Sequence, residues 1–559
     1  MRLALKGLKA LFPRIYQRVK KFVRRHTRPN LGESAEPVER HPLSMSIEEN
    51  IKELRSIFDR CSDVVMRELK LSAGEPIKAF LMYVDGLSEK AMISDHMMRA
   101  LQINPALVPQ GQQLTKANAL NIVKDHLLCM AEVKTTGEML ELVDYVLSGD
   151  IALLIDGSAK ALLPSARGWE ARDVEEPATE PLVRGPRDGF TESLRTNTTL
   201  IRRRIKTSRL KMETIKVGLL TKTDVIIAYI EGIANDKVVE EVRRRLGRIN
   251  VDGILESGYL EELIEDQPFS FFSQINSTER PDKVAGNLLE GYVAIIVDTT
   301  PMALIVPATF TQFLQSAEDY YNRFPYATFV RLLRFIALNF ALLLPSTYIA
   351  VVTYHQEMLP TPLLISIASQ REGVPFPAFV EALLMESVFE ILREAGIRLP
   401  RPIGQAVSIV GALVVGEAAV NAGLVSPAMV MVVSLTAISS FTIPTVSGSY
   451  AIRLLRFPIM FLAAAFGLFG IMAGLMGILI HLSSLRSFGV PYLSPLAPVS
   501  FRDLKDSFIR APWWAMFTRP RLTGYKEPQR QEYGQEPGPR HRGDDTAHRK
   551  GKKGGPSGA

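Results

Sequence analysis

The sequence predicts an α/β cytosolic domain of two tandem related subdomains, followed by an α-helical membrane bundle of about four spans. Three observations predict it. Charged residues crowd 1–300 and 485–559, whereas 328–484 is largely apolar. Two segments of the first half recur downstream, in the same order and at nearly the same offset. Within 328–484, four apolar runs approach the roughly 20 residues that a helix needs to cross the hydrocarbon core.

The repeat is read from two pairs of segments. FLMYVDGLSEK (80–90) matches IIAYIEGIANDK (226–237), and GDIALLIDGSAKALLP (149–164) matches GYVAIIVDTTPMALIVP (291–307), each with one inserted residue. Gly232 follows Gly86 by 146 positions and Gly291 follows Gly149 by 142. A repeated order at one offset indicates one supersecondary unit used twice. The subdomains are placed at 46–165 and 190–320, joined by a linker at 166–189. The first opens with a helix over 46–70, with Ser46 and Glu49 as a capping box. Strands follow at Ile77–Val84, Ile151–Ile155 and 161–163, with helices near 115–128 and 136–147. The second repeats them with Val225–Ile230, a charged helix Asp236–Leu246, and a hairpin within 292–307. That last stretch is apolar enough to span a membrane, but its counterpart at 150–164 carries Asp150, Asp156 and Lys160. Asp298 and Pro301 break it as a turn would.

Residues 1–45 form a basic N-terminal extension. Its first 28 residues hold ten Lys or Arg and no acid, with apolar residues at roughly helical spacing. Such a segment is either an amphipathic surface helix on anionic lipid or a basic tail. Charges interrupt every apolar run too early for a signal peptide. The two cysteines, Cys61 and Cys129, have no redox or metal-like neighbours.

The membrane spans are expected at about 330–353, 404–425, 428–446 and 457–482. Phe335–Val352 is uncharged, with Tyr348 and Tyr354 suited to an interface. Only Val425-Ser426-Pro427 separates the second and third runs, which predicts a tight helical hairpin. In the fourth run, Gly467, Gly470, Gly474 and Gly477 predict one helix-packing face of small residues. Glu417 lies inside the second run, one turn before Asn421. An ionisable residue in a span faces the bundle interior or a water-filled path, so Val410, Val414, Glu417 and Asn421 are the pore-lining candidates. The bland alternative makes Glu417 a packing residue bonded to Ser434 or Thr436. Segment 355–403 reads as an amphipathic helix over Phe379–Ile397, in the interface or re-entering the membrane; a full crossing would change this topology. Four spans put both termini on the cytosolic side, with the basic 485–559 tail largely disordered.

Signs of catalysis are missing: no GxxxxGK[ST], HExxH, paired CxxC or GxSxG occurs. The reading is not an enzyme, with no cofactor, no metal site and no nucleic-acid partner. Arg184-Gly185-Pro186-Arg187-Asp188-Gly189 is a basic Gly-rich turn, anion-binding or structural. Arg202, Arg203 and Arg204 with Lys206 read as a solvated or membrane-facing helix surface.

Three long stretches carry a family resemblance: EPATEPLVRGPRDGFTESLRTNTTLIRRRIK (176–206), SQREGVPFPAFVEALLMESVFEILREAGIRLPRPIG (369–404) and IVGALVVGEAAVNAGLVSPAMVMVVSLTAISSFTIP (409–444). They resemble the GerA-type spore germination proteins, the A subunits of nutrient germinant receptors, or a close sub-branch encoded with the spore dipicolinate-channel proteins. Arg184, Gly185, Pro186, Arg187 and Gly189 lie in the signature stretch. The resemblance covers about 45–498. It implies a protein of the spore inner membrane that assembles with a B-type integral membrane subunit and a C-type lipoprotein subunit. It also implies a homo-oligomer that forms or gates an ion-conducting pore when nutrient binds. In that family an amide is commoner than Glu at position 417. From the residues alone, a membrane-anchored signalling scaffold and a secondary transporter are the other two readings; no inverted repeat supports the transporter.

Overall fold

The computed structural model describes residues 41–71, 77–98, 101, 115–116, 118–124, 133–168, 176–177, 179–398, 416–500, 502–524, 526–532, 535 and 537. Val410, Val414 and Cys129 lie outside these residues.

Strands buried on both faces read as near-continuous apolar runs, and Ile77–Val84 (β2) and Thr223–Ile230 (β7) are such strands. In the first subdomain, helix α1 (Ile47–Ile57) precedes β1 (Val64–Leu71) and β2. After β3 (Val133–Thr136) come helix α2 (Met139–Leu147), β4 (Ala152–Ile155) and β5 (Ala161–Pro164). The second subdomain runs α3 (Leu194–Arg204), β6 (Leu210–Val217), β7, α4 (Asp236–Leu246), α5 (Ser257–Ile264), β8 (Asn276–Thr278), α6 (Pro281–Leu289), β9 (Val293–Val297) and β10 (Ala303–Val306). The two sheets have the same order, β1-β2-β4-β5-β3 and β6-β7-β9-β10-β8, with every neighbouring pair antiparallel. Side chains alternate between faces along a strand. Ala79 and Leu81 therefore join one core, while Phe80, Met82 and Val84 join another with α1 and α2. Gly86 and Gly232, matched by the repeat, both take a left-handed φ just after β2 and β7. A Cβ there would meet Thr199 at the first and lie 2.7 Å from Arg209 at the second.

Three expectations change. The 46–70 helix stops at Ile57, because the β-branched Val64-Val65 run pairs with β2 along the whole of Val64–Leu71. Ser46 makes no side-chain cap bond; Ser44 Oγ reaches Glu49 instead, and Asn50 Oδ1 accepts from Ser44 N. Arg202 is not solvated. It is fully buried between the subdomains, donating to Asp63 at 2.8 and 2.9 Å and to the Thr207 and Leu210 carbonyls.

The C-terminal half is helical: α7 (Phe324–Tyr354), α8 (Thr361–Arg371), α9 (Ala378–Arg398), a short helical stretch at 416–421, α10 (Pro427–Phe441) and α11 (Val446–Ser484). By length and composition α7 and α11 suffice to cross a membrane. However, α11 is not one rod. Gly467 leaves helical geometry (φ 61°, ψ −140°), and a Cβ on Gly474 would lie 3.5 Å from Ile459. In a continuous helix those residues stand about 22 Å apart. The ends agree with a reversal: Thr445 Oγ1 bonds Phe313 O, and His481 Nε2 bonds Ser270 Oγ, both at the soluble domain. The 457–482 run is thus the upper part of a hairpin with arms 446–466 and 468–484, each rising roughly 25–30 Å.

The described part of segment 355–403, residues 355–398, does not lie flat. Along α9, Glu381 meets Ser426 at the start of α10, Glu386 meets Arg456, Glu390 meets Arg453, and Arg393 meets Ser440 near the end of α10. So α9 runs antiparallel to the first arm of α11 and from the far end of the bundle to the end nearest the soluble domain. Among the described residues α7, α9, α10 and the two arms of α11 run lengthwise through the bundle, and of these helices α7 and α11 are long and apolar enough to cross a membrane.

The tail also departs from expectation, since residues 502–524 and 526–532 pack on the start of α7 and on the second subdomain. Arg519 donates to the Leu289, Glu527 and Gln529 carbonyls, Arg530 pairs with Glu290, and Trp513 lies between the Arg510 and Arg530 guanidiniums. Basic residues that sequence composition assigns to solvent here find carbonyl, carboxylate and aromatic partners.

Candidate functional site: a buried ion-pair ladder

An ion pair inside an apolar bundle is costly to build and rarely retained without a role. The bundle holds a ladder of such groups along α9. At the far end, Glu381 is completely buried; it accepts from Ser426 N at 3.0 Å and Ser426 Oγ at 2.9 Å, and pairs with Arg371 at 3.0 Å. At mid-height Glu386 pairs with Arg456, both inaccessible to solvent, and Arg456 Nε donates to Ala341 O of α7 at 2.8 Å. One turn further, Glu390 pairs with Arg453. Arg393 then stacks between Phe389 and Phe441, 4.9 and 4.8 Å from the ring centroids, and donates to Ser440 Oγ at 2.9 Å. Glu386 Oε1, Arg456 Nη2 and Arg393 Nε are buried without a protein partner. Unpaired buried polar atoms of this kind are normally met by water. The ladder therefore joins five helices, α7, α8, α9, α10 and α11, through buried charges.

Sequence reasoning missed this ladder. Starting the fourth span at Phe457 left Arg453 and Arg456 outside it, and treating 355–403 as interfacial made its glutamates surface residues. The available signal was the spacing: Glu386, Glu390 and Arg393 share one helical face, as do Arg453 and Arg456.

The predicted pore residues sit elsewhere. Among the described residues, Glu417 and Asn421 are exposed rather than buried in the bundle. Thr436 Oγ1 bonds its own Val432 carbonyl rather than Glu417. The four glycines of the fourth run do not form one packing face. Gly467 makes the reversal, Gly470 and Gly474 meet the opposite arm, and Gly477 has nothing within 4 Å.

The signature loop is a strap. Arg280, almost wholly buried, donates to Glu180 O and Pro186 O at 3.1 and 2.7 Å. Asp188 pairs with Arg204, and Gly185 lies against the Tyr321 ring just before α7. Arg184 and Arg187 are exposed. The loop fastens the linker to α6 and to the start of the bundle.

A second junction lies at the end of α5. Asp266 accepts from Arg245 and from Phe488 N, beyond the last helix. Beside it, burial pushes the Glu265 carboxyl up to about 7; the Gln274 N–H opposes this shift, and Glu261, Glu262 and Asp266 add to it. A raised acid binds more protons folded than unfolded between 4.5 and about 7, so stability falls as pH rises through that window. Thermal unfolding of the full chain should show this loss, about 1 kcal/mol for a partly buried group after solvent screening. Glu265→Gln should flatten that part of the profile.

The sequence model of the Bacillus/Clostridium GerA spore germination proteins matches residues 52–522. The chain belongs to this GerA family. Spore germination protein KA of Bacillus subtilis (strain 168) is 47% identical over 497 residues, covering 89% of this chain and 90% of that protein. An uncharacterized membrane protein of the same organism, YfkQ, is 47% identical over 479 residues, covering 86% and 91%. GerLA of Bacillus cereus is 39% identical over 485 residues, covering 87% and 97%. The crystal structure of the N-terminal domain of the A subunit of the Bacillus megaterium spore germinant receptor GerK3 is 38% identical, with a TM-score of 0.38 over 48% of this chain and 98% of that one. In a GerA protein associated with membrane, the ladder is the part whose chemistry simple anchoring does not need.

Proposed function

We propose that the chain is the A subunit of a nutrient germinant receptor in the spore inner membrane and that it is not an enzyme. It acts with a B-type membrane subunit and a C-type lipoprotein. Several copies ring a pore that conducts ions when nutrient binds. The soluble domain and both ends of the described chain lie on the cytosolic side. The observation that carries the reading is the Glu386–Arg456 and Glu390–Arg453 ladder. It fastens α9 to the hairpin arm beside α7, and breaking it frees one helix layer to move against the other. Glu417 and Asn421, outward on each protomer, then face the axis of the ring.

Ion flux through the purified receptor in liposomes tests this. Nutrient-dependent flux is expected with partner subunits present, and Glu417→Gln should change ion preference while leaving the amount of folded protein unchanged. Absence of flux under every condition would instead favour a signalling scaffold, in which the soluble domain recruits partners and the helices only anchor it.

A further inference from the structure

Contiguous exposed apolar surface marks a protein or membrane contact, and on the loop after α5 Phe269 is 99% exposed and Phe271 54% exposed. The loop's place in the fold is well defined. Between the two rings, Ser270 Oγ bonds His481 Nε2 at 2.9 Å, and Phe272 packs 6.3 Å from the His481 ring. His481 lies in the last turn of the second arm of α11. The exposed residues just before it on that arm are apolar: Met476, Leu479 and Ile480, each more than half exposed. The lipid-facing band of the arm thus runs directly onto Phe269 and Phe271. On another side of the bundle base, Phe508 packs edge-on against Phe335, the first residue of the apolar part of α7, and Ile509 beside it is exposed.

We propose that Phe269 and Phe271 insert into the interfacial region of the bilayer next to the second arm of α11, so that the soluble domain rests on the membrane surface. The occupant is the lipid at the boundary between headgroups and acyl chains, where aromatic rings partition favourably. The site rests on the membrane reading above. It holds the second subdomain at a fixed height through a loop hydrogen-bonded to the helix end, so a movement of the arm is transmitted to α5 and its sheet.

The test uses the full chain in phosphatidylcholine–phosphatidylglycerol vesicles, with Cys61→Ala and Cys129→Ala as background and single spin labels at 269, 476 and 220. Collision with oxygen, concentrated in lipid, is compared with collision with a water-soluble nickel chelate. The expected result is oxygen preference at 269 and 476 and chelate preference at 220, on the turn between β6 and β7. Chelate preference at 269 with oxygen preference at 476 overturns the anchor and leaves the membrane reading standing. Chelate preference at both positions overturns the membrane reading and the anchor with it. Shielding of 269 from both reagents also overturns the anchor, because a second protein surface then covers the loop. Phe271→Asp in the label-269 chain should lower the oxygen preference at 269 severalfold, and no change on that substitution counts against insertion of the loop.

Discussion

Arg456→Leu is expected to remove most folded protein from detergent extracts. The substitution strips from Glu386, itself inaccessible to solvent, its one ionic partner among the described residues, and also removes the bond to Ala341 O. Breaking a buried pair from one side costs about 3–5 kcal/mol, since it leaves an uncompensated charge in an apolar medium. That is a large share of the 5–15 kcal/mol on which a typical domain survives. Glu386→Met with Arg456→Met should behave differently. Two apolar side chains of similar volume remove both charges and both desolvation costs, and such replacements are neutral or stabilising. Monodispersity and Tm should therefore return to the parental level or above in the double variant. A single variant with the parental Tm would mean that the pair is hydrated rather than buried. Function separates the two readings of the ladder. As a latch that must break, it should leave the stable double variant folded but altered in nutrient response; as packing alone, it should leave flux unchanged.

The soluble half was the more legible part, and the reason is physical. Short strands buried on both faces leave dense apolar runs, and turns that need a left-handed residue leave Gly86, Gly149, Gly232 and Gly291 in matching places. Those two marks were enough to find two units whose sheets share one strand order. The strand Val64–Leu71 was misread as helix because Arg67, Glu68 and Lys70 leave its exterior charged, a pattern that suits either structure over one or two turns. Arg202 was misread because a run of three arginines looks solvated, and only the tertiary fold brings Asp63 to it. The bundle was read less well because hydropathy scores a residue by type and not by partner. Glu381, Glu386, Glu390 and Arg393 each look too polar for a membrane helix until Ser426, Arg456, Arg453 and Ser440 are set against them. Glu417 stood out for the opposite reason: its neighbours in sequence are apolar, although its own side chain faces outward. The family resemblance rests on long motifs and was independent of these local errors.

Gly470→Ala is expected to be severely damaging and Gly477→Ala harmless, although both glycines lie on the same run at helical spacing. A Cβ on Gly470 would overlap the Leu462 carbonyl of the opposite arm, and Phe466 Cβ lies 3.2 Å away. Backbone on both sides of a contact cannot give way as a flexible side chain can, so the hairpin must open, at about 2–3 kcal/mol. Gly467→Ala should cost a similar amount for a different reason. Its φ of 61° with ψ of −140° is a region that side-chain-bearing residues avoid, at about 1–3 kcal/mol, and a Cβ there would also lie 2.8 Å from His355 Cε1. At Gly477 nothing lies within 4 Å, so alanine gains helix propensity, about 0.5–1 kcal/mol. A uniform small-residue packing face would make all these substitutions alike, and a graded set of Tm values distinguishes the two. Cross-linking decides the geometry independently of stability. Cysteines at 459 and 474, in a chain lacking Cys61 and Cys129, should form a disulfide readily, because Ile459 and Gly474 face each other across the hairpin. In an unbroken helix the same positions are about 22 Å apart, and no disulfide within one chain can span that distance.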